Sequence, residues 1–118
     1  MSFPEEKIWD EINVGWSRMS FKQRFLWEAI RRPPEKWELP GYGKHWVVAL
    51  IGSTVIYYNH YEHGFNPSPW QRYGYIEEYR SLQNGLEVAV QRQLENIKTG
   101  YDVCPFEGPP TPGEYRKP

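Results

Sequence analysis

The stretch 45-HWVVALIGSTVIYYNH-60 decides the fold. Two runs rich in β-branched and aromatic residues, 45–51 and 54–60, flank the pair Gly52-Ser53. Such runs read as strands, and a Gly-Ser pair of this kind closes two-residue hairpins. The pairing then places Ile51 opposite Thr54, Ala49 opposite Ile56 and Val47 opposite Tyr58. Val47, Ala49, Ile51 and Ile56 fall on one face, and Trp46, Val48, Leu50 and Val55 on the other, because side chains alternate along a strand. Both faces are apolar. Both therefore need cover, or the hairpin lies centrally in its sheet.

Working outward, residues 4–14 read as a helix. Pro4 suits the first turn, and Glu5 and Glu6 suit the positive end of the dipole. Ile8, Trp9, Ile12 and Trp16 share a face, and Gly15 is the expected stop. A second helix is expected over 21–31, opened by the capping box Ser20-x-x-Gln23. Its apolar stripe is Phe21, Phe25, Leu26, Ala29 and Ile30, and Pro33-Pro34 end it. Residues 33–44 read as a loop with a turn at Pro40-Gly41. On the other side of the hairpin, 63–71 reads as irregular because of Gly64, Pro67 and Pro69. Residues 72–78 read as a third strand, with Tyr73, Tyr75, Glu77 and Tyr79 on one face. A final helix is expected over 86–98, capped by Asn84 with Glu87 at its third position. Leu86, Val90, Leu94 and Ile97 line it and Gly100 ends it. The expected architecture is α+β: a small antiparallel sheet of three or more strands packed by about three helices. Residues 1–103 form one domain, and 104–118 a Pro/Gly-rich tail, extended or disordered along the surface.

Composition narrows the function classes. Of 118 residues, 17% are aromatic, including six Trp and nine Tyr. A chain this small cannot easily hide them all, so some belong at the surface or on a partner face. The formal net charge is −1 and the charges are mixed along the chain. A general nucleic-acid binder would carry a basic stripe; here only Arg31, Arg32 and Lys36 cluster. The single cysteine, Cys104, permits no internal disulfide, which favours a reducing compartment. With no apolar signal core after Met1, and 46–52 too short to span a bilayer, the expected location is the cytoplasm and no membrane partner is expected.

Candidate chemistry is sparse. His60, Glu62 and His63 are the tightest group of potential metal ligands, but protein metal sites need three or four ligands and a polar loop at a strand end is the plainer reading. No cofactor is expected. Cys104 before Pro105 is poorly placed to be a nucleophile. Ser53 lacks a nucleophile-elbow context, and Gly41-Tyr42-Gly43-Lys44 lacks the spacing of a phosphate loop. Glu77 and Glu78 would point to opposite faces of a strand and could not act as a pair. Aromatics around Trp70, Tyr73, Tyr75 and Tyr79 suit either core packing or a Tyr-rich protein interface, with nucleobase stacking a lesser alternative because basic companions are few.

The stretch 55-VIYYNHYEHGFN-66, with Gly74-Tyr75-Ile76 and the helix from Leu86 to Leu94 behind it, resembles small bacterial immunity-type proteins of toxin–immunity systems. The likeness covers roughly residues 45–98. It implies a non-enzymatic cytoplasmic α+β protein that binds and neutralises a cognate toxin. Independently of any family, Gly64 offers a positive φ after the strand, Asn59 and Asn66 can satisfy loop backbone, and Phe65 can anchor the corner. The expected partner face comprises Tyr57, Glu62, Trp70, Tyr75 and Glu77. The alternatives are a nucleic-acid or phage-type regulatory protein using Arg31, Arg32 and Lys36, and, less favoured, a small metal enzyme built on His60, Glu62 and His63.

Overall fold

A computed structural model describes residues 3–99. The expected tail, Cys104 and the stop at Gly100 lie outside the described residues. The elements are α1 (Glu5–Ser17), α2 (Phe21–Ile30), β1 (Arg31–Leu39), β2 (Gly43–Ile51), β3 (Thr54–Asn59), β4 (Gly64–Pro69) and α3 (Leu86–Thr99). The strands form one antiparallel sheet in the order β1-β2-β3-β4. The fold class is α+β, and the β2–β3 hairpin lies at the sheet's centre.

The hairpin turns at Gly52, whose φ is +59°. Ile51 pairs with Thr54 and Ala49 with Ile56, as the pattern requires, but Val47 pairs with Tyr57 and not Tyr58. Val48 is the extra residue of a β-bulge. A bulge rotates every side chain beyond it to the other face. Trp46, Val48, Ala49, Ile51, Ile56, Tyr58 and Phe65 therefore meet the helices. Val47, Leu50, Val55 and Tyr57 meet the opposite cluster, with Trp37, Leu39 and Ile76.

Two expectations about loops are overturned. Residues 33–44 are mostly strand: β1 pairs with β2 along Glu35–Leu39, and Pro33-Pro34 fall where three residues of β1 stand against Val48 alone. Likewise β4 is a strand although it contains Pro67 and Pro69. Both are outer strands, where a residue without an N–H removes no inter-strand bond. The expected third strand at 72–78 is not one. Among the described residues its one ladder contact is a parallel bridge between Tyr75 and Glu38, in which Glu38 N–H donates to Gly74 O and Ile76 N–H to Glu38 O, both at 2.8 Å.

The helices follow their sequence signals more closely. At the start of α2 the capping box is complete, with Gln23 N–H donating to Ser20 Oγ and Ser20 N–H to Gln23 Oε1. The buried face of α2, however, is Trp27 and Ile30, while Phe21 and Phe25 point outward. Gly15 does not stop α1. It lies inside the helix, where a Cβ would come within 2.5 Å of Leu86 Cβ, so its role is to let α1 approach α3. α3 begins after Gly85, whose carbonyl accepts from Val88 and Ala89, one residue later than the expected cap at Asn84. Its buried side is Leu86, Ala89, Val90, Arg92 and Gln93, while Ile97 is exposed. α3 packs against α1, α2 and β4, and α2 against β2, so the helices cover one face of the sheet.

Candidate functional site: a strap laid over the open face of the sheet

Among the described residues no helix covers the second face. Residues 70–85, which join β4 to α3, cover it instead. A long connection without regular structure inside a compact domain is usually functional. This one is a strap fixed by polar side chains from the strands beneath it. Ser68 Oγ accepts from the amides of Glu77 (3.1 Å) and Glu78 (3.0 Å). Tyr57 Oη donates to Glu78 O (2.9 Å) and accepts from Arg80 N–H (2.7 Å). Asn59 Nδ2 donates to Arg80 O (2.8 Å). Asn66 clasps Leu82 from both sides, donating to its carbonyl (2.9 Å) and accepting from its amide (3.1 Å). Tyr57, Asn59, Asn66 and Ser68 are all buried, so each spends its polar group on strap backbone that would otherwise be stranded away from water.

The corner at residues 59–66 serves this strap. Gly64 is not in the positive-φ region; His63, at φ 60°, takes that conformation. What Gly64 supplies is clearance. A Cβ there would collide with Leu82 O, and would lie 2.7 Å from Gln83 Cα and 2.8 Å from Asn84 N. Phe65 is buried in the helix-side core, and its amide donates to Asn84 O. Asn59 also accepts from the amides of Tyr61 and Glu62, closing the β3–β4 turn. Asn59, Phe65 and Asn66 thus have the roles their types suggest.

The expected partner-face residues divide. Tyr57 is fully buried and cannot reach a partner. Burial pushes its hydroxyl up to about 12, so it stays protonated and keeps its donor bond to the strap. Trp70, Tyr75 and Glu77 all lie on the strap. Trp70 is half-buried, stacked edge-on against Trp37 with ring centroids 5.6 Å apart, and its indole N–H donates to Gly52 O. Tyr75 is exposed, with the Arg72 guanidinium 3.8 Å above its ring. Glu77 is exposed. Glu62 sits apart, at the β3–β4 turn, and accepts from Tyr79 Oη (3.0 Å). Since 72–78 is no strand, Tyr73, Tyr75, Glu77 and Tyr79 do not form one alternating face. Tyr73 packs on Trp37 and donates to Glu35, whereas Tyr79 lies 4.3 Å from Tyr42. Glu35 is held below the usual carboxylate range by its bonds from Tyr73 and Trp37.

Sequence reasoning missed Tyr42 and Tyr61, which are 45% and 55% exposed and yet positioned by specific contacts. Tyr61 Oη donates to Tyr42 O across the two turns. The signal that could have found them was their place beside Gly41-Gly43 and Asn59, at chain reversals where side chains project outward. The acids Glu35, Glu62, Glu77 and Glu78 lie around this surface together with the bases Arg32, Arg72 and Arg80, while Glu38, between Trp37 and Leu39, points to the other face with Lys36.

The histidine group is dispersed. His45 is buried and stacks on His60, ring centroids 4.3 Å apart and 18° from parallel. Burial, then His60, lower His45 to about 4; burial chiefly lowers His60. His63 is exposed, and Glu62 faces Tyr79. Among the described residues no three His, Cys, Asp or Glu side chains gather as a metal site. Ser68 Oγ is occupied by two amides and by donation to Pro69 O, an arrangement that fixes backbone. Among the described residues no helix is long and apolar enough to cross a membrane. Comparisons with family models, with curated proteins and with solved structures return no match.

Proposed function

We propose that this chain is a non-enzymatic binding protein, an immunity-type inhibitor in the cytoplasm of a bacterium, whose strap face docks on a cognate toxin. One observation carries this reading. An irregular segment with outward-facing aromatic and acidic residues is held by hydrogen bonds from the buried side chains of Tyr57, Asn59, Asn66 and Ser68. A segment ordered in advance loses less entropy when it binds. Tyrosine adds large contact area at low entropic cost, and interfaces are enriched in it. The exposed Glu77 carboxylate fits a basic group on the partner and would help to orient it.

The test is affinity for the protein that co-purifies with the tagged chain from its native cells. Tyr75→Ala and Glu77→Lys alter only exposed side chains, so the fold should survive. Each is expected to weaken binding, by about tenfold or more for a central aromatic. Unchanged affinity in both would remove the strap as the docking face. The nucleic-acid alternative has less support, because Arg31 is paired with Glu28 at 3.0 Å and Lys36 lies over the Trp46 ring at 5.2 Å.

A further inference from the structure

A second surface is built on opposite principles. Phe21 is 85% exposed and Phe25 77% exposed, and they are one turn apart on α2. Residues four apart on a helix share a face, so the two rings project side by side. Lys22 and Arg24 flank them on the same helix. Arg24 extends the patch, since its guanidinium lies 3.8 Å above the ring of Trp16, itself 39% exposed, and its Nε donates to Trp16 O. The charge here is lopsided. Residues 17–28 contain Arg18, Lys22 and Arg24 against Glu28 alone, and Glu28 is itself paired with Arg31 at 3.0 Å, although the whole chain is −1. Residues 1–40 as a whole carry seven bases and seven acids, which conceals this, because the acids Glu5, Glu6, Asp10 and Glu11 fall on α1.

We propose that the outer face of α2, with Trp16 beside it, is a peripheral docking surface for an anionic lipid membrane. Charge and shape select this occupant. A second copy of the chain would set this excess of positive charge against itself. A nucleic-acid strand would need a groove and free guanidinium forks, yet the surface is a convex helix, Arg24 is laid on Trp16, and Arg31 is paired with Glu28. A bilayer surface requires only what is present: protruding aromatic rings that enter the acyl boundary, an indole suited to the headgroup level, and basic residues facing anionic lipid. Lying on a membrane needs no spanning helix. The sequence-based expectation of no membrane partner rested on spans and a signal core, and both are silent about a patch assembled by folding.

The experiment is co-flotation of the full chain with vesicles of phosphatidylcholine alone, or with about 30% phosphatidylserine added. Binding is expected only with phosphatidylserine, weakening as salt rises. Phe21→Ala with Phe25→Ala should cut it by at least about tenfold, with an unchanged thermal melt because both rings are in solvent. Arg18→Glu with Lys22→Glu should cut it similarly and leave the Phe pair intact. The proposal is overturned by absence of binding to the anionic vesicles, by full binding of the double-Phe variant, or by Phe-dependent retention of a single-stranded oligonucleotide in place of vesicles.

Discussion

The two faces of the sheet are covered by different means. On one side, helices bury Ile8, Ile12, Trp27, Ile30, Leu86 and Val90 against Trp46, Val48, Ile56 and Phe65. That cover is held by area, which is additive and non-directional. On the other side a strap without regular structure is held by Tyr57, Asn59, Asn66 and Ser68, each aimed at particular backbone groups. Such bonds contribute little net energy when made, but leave a large penalty when one partner is removed. The helical face therefore stores the stability of the domain. The strap face stores a shape.

Substitutions that separate the faces should differ in kind as well as size. Trp27→Ala, which empties part of the helix-side core, is expected to cost about 3–5 kcal/mol and to lower the single unfolding transition as a whole, measured by urea denaturation. Gly64→Ala should be nearly as severe, roughly 3 kcal/mol, because the strap backbone at Leu82–Asn84 must lift to admit the methyl group. A smaller loss in denaturation, with the strap still closed, would show that the close approach at Gly64 is not essential. The histidine pair predicts an acid-sensitive share of stability. His45 binds a proton less readily when folded, so its contribution is complete above pH 6.5 and is lost as pH falls from there toward about 4. The wild type should lose on the order of 2–3 kcal/mol more over that range than His45→Phe does. Equal pH profiles for the two would remove His45 from the account. Asn66→Ala should cost about 1–3 kcal/mol by stranding the Leu82 amide and carbonyl, and should weaken partner binding more than its global stability loss explains. At the small end, Phe25→Ala should change stability by no more than about 0.5 kcal/mol.

The sequence made one face more legible than the other, for physical reasons. Local signals sufficed for α2, where the Ser20–Gln23 box is self-contained, and for the hairpin, where Gly52-Ser53 sets the turn. They failed where tertiary context decides. Pro33, Pro34, Pro67 and Pro69 argue for loops within any short window, yet outer strands tolerate them. The Val48 bulge reverses the faces of Trp46 and Val47 and has no signature in composition. α2 carries apolar residues around most of its circumference, so periodicity alone could not choose Trp27 over Phe25 as the buried residue. The alternation across 72–78 is real in part, with Ile76 buried between exposed Tyr75 and Glu77. It reflects a strap lying on a sheet, because its backbone bonds go mainly to side chains of β3 and β4. Of the residues expected on a partner face, Trp70, Tyr75 and Glu77 lie on the strap, where a Tyr-rich segment between turns tends to project. Tyr57 was misplaced because its hydroxyl has a partner that only the folded strap provides.

The most direct test of a pre-formed strap is amide hydrogen exchange at Glu77, Glu78, Arg80 and Leu82 in the free protein. Exchange at these positions should be slowed to within about tenfold of the β2–β3 hairpin amides, and Asn66→Ala should release Leu82 while leaving the hairpin protected. Rapid exchange at all four positions in the wild type, at the rate of an open loop, would contradict the account, since the surface offered to a partner would then have no fixed shape.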